Sequence, residues 1–126
     1  GPARMFVATQ YPGADSTLAP ALWNTFERIT LVATDRSERA TIDVHLRFRS
    51  GAGTLALPGL VVVEIKQESP SRDSALAQAL RALGVRPGPF SKYGVGVALL
   101  HPEAKQNLLK PTLRRLYRIT QGECHA

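Results

Sequence analysis

The chain is poor in the residues that build covalent frameworks or carry familiar catalytic chemistry. Cysteine occurs once in 126 residues, as Cys124, so no disulfide can form within the chain; that fits a reducing compartment, and a cytoplasmic protein is expected. No CxxC or HxxxH spacing occurs, so a structural zinc site is not expected. Neither GxGxxG nor GxxxxGK is completed, which removes the common phosphate-cradling loops. The longest apolar run, Val95 to Leu100, is far too short to span a bilayer, and no signal peptide is expected. Aromatic residues make up 6% of the chain, and without an RNA- or DNA-binding motif beside them nucleic acid is not an expected partner. There is no internal repeat and no low-complexity segment.

What is present in excess is positive charge. The net charge of +6 and the pI near 10.1 favour anionic partners, among which charge alone does not choose: polyphosphate chains, nucleotides, nucleic acid, or an acidic membrane surface such as the cytoplasmic face of a membrane. The length allows one domain. The opening Gly1-Pro2 has the form of a tag-cleavage scar, which predicts an excised piece whose parent extends upstream.

Local patterns give a coarse order of elements. Met5–Thr9 reads as a short strand, 10–20 as a loop, and Leu22–Phe26 as a helical turn or a lead-in. Phe26–Ala33 reads as a strand with Phe26, Arg28, Thr30 and Val32 on one face. The turn at 34–38 then predicts an antiparallel hairpin with Arg39–Arg49, a strand about 36 Å long. At the strand period Arg39, Thr41, Asp43, His45, Arg47 and Arg49 share one face, and Ala40, Ile42, Val44, Leu46 and Phe48 the other. After a connection over 50–58, a third strand is expected over Gly59–Gln67, with Val62, Glu64 and Lys66 on one face. Such alternation has two readings: an antiparallel sheet with a charged, wet outer face, or a sheet whose polar face lines a cavity for a polyanion and a cation. His45 reads as structural, since no nucleophile or second base lies near it in sequence.

The second half reads as helical. Ser69 is the expected N-cap of a first helix, with Pro70 at its first position and Asp73 in its first turn. Ala75, Leu76, Ala79, Leu80 and Leu83 form a stripe expected in the core, and Gly84 is the stop. Two prolines and a glycine make 85–90 irregular. Ser91 caps a helix over Lys92–Leu100, in which Gly94 and Gly96 are expected to allow close packing on the sheet. A last helix runs from Pro111 to about Ile119. Lys105, Lys110, Arg114, Arg115 and Arg118 make this tail basic, as a solvated face or as a patch for a membrane or polyanion.

Five strings in order, FERITL, ERATIDVHLRFR, LPGLVVVEIK, PFSKYGVGVALL and LKPTLRRL, resemble the C-terminal half of the VTC domain. That is the polyphosphate polymerase domain of the vacuolar transporter chaperone family, one of the triphosphate tunnel metalloenzymes. The resemblance runs from about Trp23 to Leu116. It implies an α+β fold in which an antiparallel sheet forms part of a tunnel-like β-barrel, with C-terminal helices packed on it. It further implies that Arg28, Arg39, Ser91 and Lys92 hold phosphate, that Glu64 binds a divalent metal (Mn²⁺ or Mg²⁺), and that Asp43, Arg47 and Lys66 are secondary positions on the tunnel face. Bidentate guanidinium groups match phosphate oxygens, and a carboxylate can share the metal with them.

Three positions depart from the family pattern. Phe26 stands where the family has tyrosine, and Pro89 where it often has lysine. The N-terminal half, which carries further basic residues and most metal carboxylates, has no counterpart here. The expected function is therefore part of a metal-dependent polyphosphate polymerase that passes the γ-phosphoryl group of ATP to a phosphate chain, inactive as this chain alone. A triphosphate hydrolase on the same tunnel, or a polyphosphate-binding module without turnover, is the alternative. The missing half or a second copy of the chain would complete the barrel.

Overall fold

Glu38 to Ser50 form the long strand around which the structure is built. The computed structural model describes residues 1–13, 17–69, 71 and 73–121. Four strands form one antiparallel sheet: β1 (Trp23–Val32), β2 (Glu38–Ser50), β3 (Gly53–Leu57) and β4 (Val62–Gln67). β1 pairs along one side of β2. On the other side β3 pairs with the last residues of β2, from Leu46 to Ser50, and β4 with the first, from Glu38 to Asp43. The sheet is open: its outer edges are β1 on one side and β3 with β4 on the other.

The helices are α1 (Pro2–Gln10), α2 (Ala75–Ala82), α3 (Lys92–Leu100) and α4 (Lys110–Thr120), the last preceded by a 3-10 turn over Asn107–Leu109. The architecture is thus α+β, with C-terminal helices beside an antiparallel sheet. The core lies under α3 and α4, where Leu46, Phe48, Leu57 and Leu60 of the sheet side meet Val95 and Leu116.

Several local expectations are corrected. Met5–Thr9 lies within the helix α1 and not in a strand; α1 buries no residue. A five-residue apolar run has too little periodicity to choose, and Pro2 near its start favours a helix. Leu22–Phe26 is not helical, because β1 already begins at Trp23. The connection after β2 contains β3, which a two-residue turn at Gly51 and Ala52 folds back onto Phe48 and Leu46. The strand expected over Gly59–Gln67 begins at Val62.

The first C-terminal helix starts later than expected, and Pro70 falls outside the described residues. Its N-cap is Ser74, whose hydroxyl accepts from the Ala77 N–H at 3.2 Å and donates to Glu38 Oε1 at 2.7 Å. This bond to the sheet favours Ser74 over Ser69 as the cap. The stripe expected to be core is half-buried at Leu76 and Leu80 and exposed at Leu83, and α2 has no fully buried residue.

α3 matches the expected bounds, and so does the role of Gly96. A Cβ there would lie 2.6 Å from Phe48 Cδ1 and 2.7 Å from Leu22 Cδ2. Phe48 is 1% exposed and has no room to yield. Gly96→Ala should therefore destabilise the chain by about 1–2 kcal/mol, overpacking outweighing the gain in helix propensity. Urea unfolding of the two proteins measures it, and equal or greater stability of the variant would show that the helix rides farther from the sheet.

Candidate functional site

A β-bulge determines which side chains meet. Thr25 pairs with Arg47 but Glu27 pairs with Val44, so Phe26 alone stands opposite His45 and Leu46. His45 takes a left-handed φ of 55°, and the extra residue inverts the alternation of β2. Directly opposed residues of an antiparallel pair share a face. Arg28 opposes Asp43, Thr30 and Glu64 oppose Thr41, and Val32 and Lys66 oppose Arg39. That polar patch lies on the same face as Phe26, Leu46 and Phe48, beyond the bulge.

The expected single face of six residues is therefore corrected. Arg39, Thr41 and Asp43 stay together, whereas Arg47 and Arg49 point to the opposite face, where Arg49 lies over the Trp23 ring at 4.6 Å from its centroid. Exposed His45 sits at the bulge with its Nδ1 3.3 Å from Glu27 Oε2.

The centre of the patch is Asp43, 1% exposed. Its Oδ1 accepts from Arg28 Nε at 2.7 Å and its Oδ2 from Arg28 Nη2 at 2.8 Å. Lys92 Nζ, from the first residue of α3, lies 2.5 Å from the same Oδ2. Both cations rest on one aromatic ring: Arg28 Cζ is 5.0 Å and Lys92 Nζ 4.6 Å from the Phe26 centroid. The hydrogen bond from Arg28, helped by Lys92, holds the Asp43 carboxyl down to about 2, against the cost of burial. Arg28 is raised in turn, chiefly by its bond to Asp43, with Glu64 adding to the field.

Around this cluster the face is rich in cations. Arg39 and Lys66 are opposed like charges, an arrangement that costs stability unless an anion is shared. Lys66 Nζ is 3.4 Å from Glu64 Oε1. Arg28, Arg39, Lys66 and Lys92 thus face two carboxylates, Asp43 and Glu64. Ser91 is the N-cap of α3 and its Oγ accepts from the Gly94 N–H at 3.0 Å. Its hydroxyl hydrogen remains available to a ligand oxygen.

The patch offers little to a metal. Among the described residues there is no group of three His, Cys, Asp or Glu side chains able to hold an ion. Asp43 is committed to two cations, and Glu64 is one carboxylate, too few for the six oxygens that Mg²⁺ requires. The described residues do not fit a self-contained Mn²⁺ or Mg²⁺ site. The patch is also open: a groove of about 440 Å³ runs along β4, past Val63, Leu80, Phe90 and Ile119, and reaches Glu64 but not Arg28, Arg39 or Lys92.

Asp43 is expected to be secondary, and Phe26 stands where the family has tyrosine. The structure makes the first the hub of the cluster and the second its platform. The spacing Phe26-x-Arg28 was a visible signal for the platform, since residues two apart on a strand share a face. No signal showed that Lys92, 49 positions after Asp43, would reach it. Among the described residues no helix is long and apolar enough to cross a membrane; Cys124 lies outside them.

One comparison with known proteins covers four of the five strings quoted above; the fifth, LKPTLRRL, lies beyond its match. A family model described as the VTC domain matches residues 4–101, ending before α4. No curated protein and no solved structure matches the chain.

Proposed function

The chain belongs to the VTC domain family, and from that premise we propose that its polar sheet face is part of a polyphosphate-handling tunnel, in a protein that transfers the γ-phosphoryl group of ATP to a phosphate chain. The observation that carries this reading is the meeting of Arg28 and Lys92, from a strand and a helix start, at Asp43 on the open sheet face that also carries Arg39. In the reaction a terminal oxygen of the chain attacks the γ-phosphorus and the bond to the β–γ bridging oxygen breaks, releasing nucleoside diphosphate. The attacking oxygen is already anionic near neutral pH, so no general base is needed. Positioning and neutralisation of charge by guanidinium and ammonium groups are the protein's contribution.

The open edges support the rest of the proposal. β1 presents Ile29 and Leu31, 54% and 46% exposed, on the face opposite the cations. Inward- and outward-facing residues alternate along a barrel wall. β1 and β2 alternate in that way up to the bulge, while beyond it the patch's own face carries the core under α3 and α4. Further strands, from an N-terminal half or a second copy of the chain, would pair along these edges and complete the tunnel. The implied metal finds one carboxylate here, Glu64, and would need its remaining ligands from those added strands.

A second reading has its own support. The patch offers an anion the cations Arg28, Arg39, Lys66 and Lys92, while its buried carboxylate Asp43 is committed to two of them, a composition that suits a polyphosphate-binding module. Incubation of the intact protein with ATP and Mn²⁺ tests the proposal. Polymer is the expected product; free phosphate would make the protein a hydrolase, and tripolyphosphate binding without turnover a binding module. Failure to bind any of these anions would overturn the assignment.

A further inference from the structure

The cluster poses a physical problem that the functional reading leaves open. A carboxylate beside a phosphate site should repel the ligand, yet Asp43 lies between two of the cations meant to hold it. Its 1% exposure keeps it from meeting a ligand directly, so it acts through its neighbours.

The geometry shows what it does to them. Asp43 takes the Nε and Nη2 edge of Arg28. Of the five N–H donors of a guanidinium, both on Nη1 and one on Nη2 stay free. It takes one donor of Lys92 and leaves the other two. The cations belong to β1 and α3 and repel one another. The shared Oδ2 holds them together, and the Phe26 ring beneath limits their tilt. A flexible arginine and lysine become a two-pronged clamp with its free donors fixed in place.

We propose that Asp43 is a positioning residue for phosphate recognition: its buried carboxylate holds Arg28 and Lys92 side by side so that their remaining donors grip the same phosphate chain. The inference rests on the polyphosphate reading above. It differs from a purely electrostatic role in the sign of its consequence. Removing a negative charge beside an anion site should strengthen binding if charge alone matters. It should weaken binding if geometry matters more.

The test is calorimetric titration of the 126-residue chain with tripolyphosphate near neutral pH, for wild type and Asp43→Asn, at a temperature where circular dichroism shows both folded. The expected result is binding about tenfold weaker in the variant, although the site has become more positive; such a factor is about 1.4 kcal/mol. In a Lys92→Gln background the same substitution should cost much less, because one of the groups it positions is gone. Equal or tighter binding by Asp43→Asn overturns the positioning role and leaves the functional reading standing. No binding by the wild type overturns the functional reading and this inference with it.

If Asp43→Asn does not fold, hydrogen exchange at Arg28 Nε in the wild type gives the answer. Protection that persists when tripolyphosphate binds supports the clamp. Protection lost on binding means that the ligand displaces Asp43, and the proposal fails.

Discussion

Arg39→Ala should weaken tripolyphosphate binding about 10- to 100-fold without lowering the melting temperature of the chain. A hydrogen bond to a charged group contributes about 1.5–3 kcal/mol, and each tenfold in affinity is about 1.4 kcal/mol. Arg39 is exposed and opposes Lys66. Its side chain has no ion pair or hydrogen bond among the described residues, so its removal relieves repulsion and breaks nothing. Arg28→Ala should behave differently. It removes a proposed phosphate contact and also the bidentate partner of a buried carboxylate, so affinity and melting temperature should fall together. Titration calorimetry and thermal melts on the two variants make the comparison. Wild-type affinity in Arg39→Ala, or equal melting losses in both, would detach these arginines from the assigned roles.

The second large effect is an acid-labile stability that depends on Asp43. Its folded-state carboxyl lies at about 2, below the ordinary 3.8. A group depressed by folding stabilises the folded state above its unfolded value and loses that contribution as pH falls through its folded one. The stabilisation should be complete above about pH 5 and disappear between about pH 4 and pH 2, amounting to about 2 kcal/mol. Glu38 is lowered as well, first by its bond from Gln67 and then by that from Ser74, and adds to acid sensitivity in the same direction. Urea unfolding of wild type and Asp43→Asn across this range isolates the Asp43 part. Their difference should be constant above pH 5 and shrink towards pH 2. A difference independent of pH would mean that the carboxylate is not held by its cations in solution.

Both expectations rest on features that differ in how they could be read. The β1–β2 hairpin, the helix over Lys92–Leu100 and its Ser91 cap follow from short-range signals: a turn between alternating runs, and a hydroxyl one residue before a helix. Glu64, Lys66, Arg39 and Arg28 fall on one face because the period of two holds from Glu38 to Val44. It fails at His45, where a residue with φ of 55° inverts the side on which Arg47 and Arg49 emerge. Nothing in the string Val44-His45-Leu46 announces a bulge. It is stabilised by Phe26 opposite and by the packing of Leu46 and Phe48 under α3.

The sequence by itself determined the excess of positive charge, the β1–β2 hairpin and the Ser91-capped helix, since each depends on composition or on neighbours a few positions apart. Tertiary structure decided which of those residues meet. The bulge brings the polar patch and the core onto one face, the close seating of Gly96 on Phe48 carries the start of α3 across the sheet, and Lys92 thereby arrives at Asp43. Contacts between positions far apart in the chain depend on how whole elements pack, and local pattern holds no record of that.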